Sequence, residues 1–421
     1  MAITALTNVV MIDGTGKELI ENAVVLIEQQ QIIAAGTAQE IDLPTEATII
    51  DGEGQYLLPG LIDTHVHMAL EIKNVQESLL TPFSYRFFEA AKRLETTLQT
   101  GITSVRDAGF ADAGIKKAVE DGLVPGPRMQ VSINPLTITG GHGDSWNLSG
   151  IDTTAPVYPG MPDGKCDGRE EVRKTVREML RAGADVVKVH ATGGVSSPTD
   201  HPEFTQFSQE ELEVMVEEAT FRKGIKVMAH AQGAEGIKNA VRAGIHSIEH
   251  GIFIDDEALE LMLQNGTYLV PTLLAPLAVL EAAETTNTMA PYAIEKSKQV
   301  IDIHKQSIEK AYKAGVKIAM GTDAGVFPHG INLRELGLMC EIGMSPMEAI
   351  VASTKTAAEC MGWGDRVGTI EPGKWADLIL VNSNPLENIH VLEQHENITF
   401  VMKDGKIFKD TAKKVAHVAS K

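Results

Sequence analysis

Gly60-Leu-Ile-Asp-Thr-His-Val-His-Met68 is an apolar run of strand length that ends in two histidines, His65 and His67. Successive side chains of a strand point to opposite faces, so residues two apart look the same way and both imidazoles converge on one point. Two imidazoles on one face begin a transition-metal site. A lone His-x-His pair also describes two surface or core histidines, so its meaning depends on whether further ligands follow in a regular order.

From about Pro59 to Trp363, strand and helix patterns alternate, the signature of a parallel α/β fold. The spacing predicts eight strands, over 61–67, 102–107, 128–133, 185–191, 226–231, 247–250, 268–272 and 317–323. Helices are predicted over 85–100, 170–182, 209–223, 234–243, 255–265 and 294–314. Glycines suited to a left-handed C-terminal cap follow them at Gly101, Gly183, Gly224, Gly244, Gly266 and Gly315. Eight βα units, with no GxGxxG after the first strand, favour a (β/α)8 TIM-type barrel over an open doubly wound sheet.

The two ends read differently. Short alternating runs at 6–12, 23–28, 31–35 and 48–51 precede the barrel, and others at 377–381, 398–403 and 406–409 follow it. Lys403-Asp-Gly-Lys406 carries the Asp-Gly signature of a tight hairpin. Residues 1–58 and 364–421 are therefore expected to build one small β-sandwich domain together, beside a barrel of residues 59–363.

Functional residues of such a barrel sit at the C-terminal ends of its strands. The first strand ends in His65 and His67, the fourth carries Lys188, the fifth His230, the sixth His250 and the eighth Asp323. Any one of these is as well explained by a cap on loop backbone. Six at five strand ends are better explained by a metal site. Lys188 is the odd member, since an ammonium repels a divalent cation. Desolvation inside a barrel lowers its pKa, and the neutral amine reacts with carbon dioxide to give a carbamate, an anionic two-oxygen ligand able to bridge two metals.

These residues resemble the binuclear form of the amidohydrolase superfamily over nearly the whole length. The branch with imidazolonepropionase-like proteins, Xaa-Pro dipeptidases and zinc-dependent carboxypeptidases for basic residues is similar at Thr139-Gly-Gly-His-Gly-Asp144, Ala191-Thr-Gly-Gly-Val-Ser-Ser-Pro198, Ala229-His-Ala-Gln-Gly233, Ile248-Glu-His-Gly251 and Gly321-Thr-Asp-Ala-Gly-Val-Phe-Pro-His-Gly330. The resemblance implies that His65, His67 and Asp323 hold one divalent metal, that His230 and His250 hold the other, and that carbamylated Lys188 bridges them with a hydroxide. Zinc is the metal it implies. The bridging lysine points to the peptidase side of the branch rather than to mononuclear imidazolonepropionases.

Catalysis is then expected from Asp323 as general base and acid, with His142 donating to the developing oxyanion. Gln232, His329, His142 and the amides of 193–197 are candidates for holding a substrate carboxylate. Two departures bear on substrate: Gln232 stands where some prolidases have tyrosine, and Ile331-Asn332 replaces the Asp-Asn of carboxypeptidases for basic residues. Losing that acid weakens the case for a cationic substrate side chain. His190 shares a strand face with Lys188 and is expected as a buried hydrogen-bonded histidine, with entry into the site as the alternative. Arg106 is expected to pair with Asp107 or a nearby loop, and His246 to stay out of the site.

Composition narrows the classes. The 421 residues carry a net charge of -20 and are 43% hydrophobic, against the basic footprint of nucleic-acid binding and against anionic membrane surfaces. Residues 1–14 lack the basic start and apolar core of a signal peptide, and no run is long enough to span a bilayer, so a soluble cytoplasmic enzyme is expected. Cys166, Cys340 and Cys360 are too few and too scattered for a disulfide framework. Barrel enzymes of this kind often form homo-oligomers, which no stripe in this sequence decides. The leading reading is a metal-dependent hydrolase of amide bonds in small peptides or N-acyl amino acids. Its rivals are a hydrolase of cyclic amide or imidazolone-type rings and a non-catalytic barrel scaffold.

Overall fold

The computed structural model describes residues 3–70, 77, 80–147, 149–153, 157–285 and 289–411. The tail lysines Lys413, Lys414 and Lys421, read from the sequence as solvated charges, lie outside the described residues. The chain begins with five strands, β1 Ile3–Met11, β2 Ile20–Glu28, β3 Gln31–Thr37, β4 Thr48–Asp51 and β5 Tyr56–Pro59. Seven more follow in the middle: β6 Leu61–Val66, β7 Ile102–Asp107, β8 Arg128–Val131, β9 Val186–His190, β10 Lys226–Ala231, β11 Ser247–His250 and β12 Tyr268–Val270. Three close the described chain, β13 Leu378–Val381, β14 Ile398–Lys403 and β15 Lys406–Asp410.

Every residue of β6, β7, β9 and β11 is buried, as expected of parallel strands covered on both faces. They form two parallel sheets, β6-β7-β8 and β9-β10-β11-β12. Backbone bonds join the two: Asp185 N–H to the Val131 carbonyl at 2.8 Å and Leu136 N–H to the Lys188 carbonyl at 2.8 Å. Helices over the sheets include Tyr85–Gln99, Gly168–Arg181, Gln209–Thr220, Ala234–Arg242, Asp256–Asn265 and Pro291–Ala314. The six glycines expected to end helices all hold positive φ. The sequence reading missed Ala113–Glu120, Leu274–Thr285 and three short helices after residue 333.

The eighth predicted strand departs from expectation. Residues 317–324 are no continuous strand; they make single parallel bridges, Ile318 to Leu269 and Ala324 to Val66. Leu269 N–H donates to the Lys317 carbonyl at 2.9 Å, Thr64 N–H to Met320 at 3.0 Å and His67 N–H to Ala324 at 2.7 Å. The segment thus lies between β12 and β6, and the run of hydrogen bonds returns to the first strand. Gly321 explains the tight passage, because a Cβ there would stand 2.4 Å from Val270 Cγ1 and 3.1 Å from the His65 amide nitrogen.

Both ends of the chain share one eight-stranded sheet of order β15-β14-β13-β5-β1-β2-β3, with β4 on β1. β5, which the sequence reading missed, pairs in parallel with β1 and antiparallel with β13. The hairpin at Lys403–Lys406 turns through Asp404 at φ 52° and Gly405 at φ 70°, the two positive φ values of a type I′ turn. No helix among the described residues is long and apolar enough to cross a membrane.

Candidate active site

A cavity of about 400 Å³ opens at the C-terminal ends of the parallel strands and is lined by His65, His67, Lys188, His230, His250 and Asp323 among others. Asp323 Oδ1 stands 3.4 Å from His65 Nε2 and 3.1 Å from His67 Nε2. Ligand atoms of these three residues all lie within 4.8 Å of one another. Asp323 holds φ 67° and His250 φ 74°, left-handed backbone that costs a residue with a side chain and recurs where side chains must be aimed.

Groups behind the rings select the nitrogen that each histidine presents. The Glu249 carboxylate accepts from His65 Nδ1 at 2.7 Å, and the Gly109 carbonyl accepts from His67 Nδ1 at 3.1 Å. Nε2 is left on both. Glu249 itself accepts from Arg106 at 3.0 Å and from Ser247 Oγ at 2.6 Å, and Arg106 also donates to the Thr64 carbonyl at 2.7 Å. Arg106 is thus a buried structural partner, though of Glu249 and not of Asp107, whose carboxylate takes the amides of Met68, Gly109 and Ala111.

The second pair sits beside the first. His250 lies 5.1 Å from His65 and 4.6 Å from His230 between ring centroids. The Gly193 carbonyl accepts from His230 Nε2 at 2.9 Å, which leaves Nδ1; Thr272 Oγ1 is 2.7 Å from His250 Nδ1, which leaves Nε2. Burial above all holds both rings well below the usual imidazole range, so each stands neutral with a lone pair. Lys188, 1% exposed, places Nζ 3.3 Å from His65 Nε2. Burial pushes its ammonium down to about 8 against the opposing pull of Glu249 and Asp323. Burial alone would raise the Asp323 carboxyl, but the His65 and His67 rings outweigh it and hold it well below the carboxylate range. Neutral imidazoles, an ionised carboxylate and an easily deprotonated amine make a donor set that fits divalent cations.

His142 and Gln232 also line the cavity. The His142 ring stacks on His230 at 4.3 Å, and its Nδ1 is 2.7 Å from Ser197 Oγ, which donates to Asp200. Gln232 Oε1 is buried without a partner. His190 lines the cavity too, and its Nδ1 has no partner, so the expectation of a hydrogen-bonded histidine gives way to entry into the site. His329 is placed elsewhere. Its Nδ1 meets Thr97 Oγ1 at 3.0 Å and its Nε2 the His67 carbonyl at 3.2 Å, behind the metal-facing strand end and outside the cavity lining. His246, with Nε2 3.1 Å from the Cys360 carbonyl, also stays away. Burial pushes the Cys166 and Cys360 thiols up, to about 12 and about 11, as befits inert free cysteines.

Glu249 is the residue that sequence reasoning passed over. Its signal was a carboxylate beside His250, on a strand short enough to be buried throughout.

An ochratoxinase from Aspergillus niger is 36% identical over 418 residues, covering 95% of this chain and 85% of that protein. An imidazolonepropionase from Geobacillus kaustophilus is 26% identical over 437 residues, 94% of this chain and 92% of the relative. The crystal structure of a Xaa-Pro dipeptidase with methionine bound in its active site superposes with a TM-score of 0.89 at 36% identity, over 97% of this chain and 100% of that one. The amidohydrolase family profile matches residues 56–408, from the last N-terminal strand through the whole set of strand ends. With a profile match of that extent and a relative at 36% identity over nearly its full length, the chain belongs to the amidohydrolase family, enzymes that hydrolyse amides.

Proposed function

We propose that the chain is a metal-dependent hydrolase that cleaves the amide bond of small peptides or N-acyl amino acids. The observation that carries this is the convergence of His65, His67, His230, His250 and Asp323 on one buried lysine, Lys188. His65 and His67 through Nε2, with Asp323, would hold one divalent cation; His230 through Nδ1 and His250 through Nε2 would hold a second. Lys188, taken as its carbamate, would join the two. Bound there, zinc or a similar cation supplies Lewis acidity toward an amide carbonyl and lowers the pKa of water.

The chain's own side chains carry the protons and the positioning. Asp323, ionised at neutral pH, accepts the proton of the attacking water and returns it to the departing amine nitrogen. His142, whose Nδ1–H is taken by Ser197 beside the Asp200 carboxylate, can donate from Nε2 to the carbonyl oxygen as charge develops there when it acts as the imidazolium. Gln232 offers its free amide oxygen, and its amide nitrogen, to the amino-acid portion of the substrate. His329 is assigned to holding the His67 backbone in place of a substrate contact. The methionine bound in the Xaa-Pro dipeptidase relative supports an amino acid as product.

Residues 59–363 are taken as a (β/α)8 barrel closed by the 317–324 segment, and residues 1–58 with 364–421 as a β-sandwich. The hydrogen bonds returning to β6 and the sheet shared by both ends support that division. The deciding measurement is amino-acid release from a panel of dipeptides and N-acyl amino acids, using protein supplied with zinc and bicarbonate, with and without chelator. Chelator-sensitive release is expected. No release from protein that retains metal would transfer the reading to cyclic amides, and no bound metal after chelator-free purification would favour a scaffold.

A further inference from the structure

The helix Pro291–Ala314 turns one face toward the cavity, where Ser297, Val300 and His304 line it at helical spacing. Ser297 is 0% exposed and His304 1%. Ser297 Oγ and His304 Nδ1 nevertheless have no hydrogen-bond partner. His304 Nε2 lies 2.9 Å from the His250 carbonyl, which can only accept, so the ring proton is on Nε2 and Nδ1 carries a lone pair. Apolar Ile252, Pro276, Val279 and Val300 line the same cavity. Buried polar atoms without partners destabilise the protein that holds them, and two facing the same cavity are accounted for if what enters pairs with them.

Charge sharpens the class of ligand. Apart from Lys188 and Asp323, already assigned, no lysine, arginine, aspartate or glutamate lines the cavity among the described residues. Seven residues of helix separate the two unpaired atoms along the axis by about 10 Å, enough for an aromatic side chain lying against Val300.

We infer that this lobe receives the side chain of the amino-acid portion of the substrate and selects an apolar body tipped with an O–H or N–H, the tyrosine class over the phenylalanine class. This rests on the amide-hydrolase reading above. With a tyrosine-type ligand, the phenol pairs with Ser297 Oγ, since His304 Nδ1, about 10 Å along the helix, is beyond the reach of the same hydroxyl; with phenylalanine, Ser297 remains unpaired, and sites built to bond a hydroxyl discriminate against ligands that lack it.

The test compares N-acetyl-L-tyrosine with N-acetyl-L-phenylalanine, in wild type and Ser297→Ala, on zinc-loaded full-length protein. Wild type is expected to favour the tyrosine amide by about tenfold or more in kcat/KM, and the ratio to fall toward one in the variant. The variant's thermal midpoint is expected to stay or rise, because an unpaired buried hydroxyl has been removed. A wild-type ratio near one, or an undiminished ratio in Ser297→Ala, overturns the inference. If neither amide is cleaved, the hydrolase reading fails separately, and calorimetric binding of free L-tyrosine and L-phenylalanine decides the lobe. Tighter tyrosine binding that is lost in Ser297→Ala then upholds it, and equal affinities or no binding overturn it.

Discussion

A histidine has two nitrogens, and at His65 the choice between them falls to Glu249 on β11, a strand of the other parallel sheet. That carboxylate takes Nδ1 on one side and Arg106 on the other, so changing it disturbs the ring and strands a buried guanidinium together. Glu249→Gln keeps the volume and removes the charge. Zinc affinity, measured by competition with a chromophoric chelator, is expected to fall about 10- to 100-fold, the usual effect of losing a partner behind a ligand. Undiminished affinity in a folded variant would remove Glu249 from the site. Histidines and acids at strand ends were legible in the sequence because each interrupts an apolar run at the C-terminal end of a predicted parallel strand. Glu249 was not, because the partner that gives it meaning is 184 residues away. His329 shows the converse: beside a glycine in a loop it reads as a substrate contact, yet Thr97 and the His67 carbonyl already occupy both its nitrogens.

The 317–324 segment shows what periodicity carries and what it omits. The sequence reading took it as an eighth strand, whereas the structure gives it only single bridges, to β12 on one side and β6 on the other. Spacing alone could not reveal that it is wedged in by single bridges, since that follows from Gly321 packing against Val270 and the His65 backbone and from the left-handed turn at Asp323. Gly321→Ala therefore forces an atom into filled space, and overpacking of this kind costs about 1–3 kcal/mol. A thermal midpoint lowered by several degrees is expected, about 2–4 °C per kcal/mol for a large domain, together with reduced metal content because Asp323 lies two residues on. A midpoint equal to wild type would show that the passage is looser than its geometry. Of the helices the sequence reading missed, Leu274–Thr285 has apolar content running all round it and leaves little amphipathic stripe to detect.

Across the whole molecule, buried carboxyls set a dependence on pH. Burial pushes Asp63 and Asp107 up to about 6 and Glu335 up to about 8, the last against two amide donors from Leu273 and Leu274. Unfolded, these groups lose their protons near 4, so their stabilisation is complete below that and disappears as pH climbs through 6 toward 8. Glu335→Gln removes the upper part of this decline: the wild-type midpoint is expected to drop more than the variant's between about pH 5 and pH 9, by an amount equivalent to about tenfold or more in the folding constant. Parallel slopes would mean that Glu335 ionises freely in the folded protein. The contribution of both ends of the chain to β structure was readable from their short alternating runs. β5 escaped because four residues beside a proline look like a connector until both neighbours are present. Those neighbours are far apart in time. On the ribosome β5 meets β1 at once, but about 320 residues must still emerge before β13 arrives, which takes about 15–60 s at ordinary elongation rates. For that interval the nascent chain presents an open strand edge, the kind of surface that invites chaperone capture or mispairing with another nascent copy.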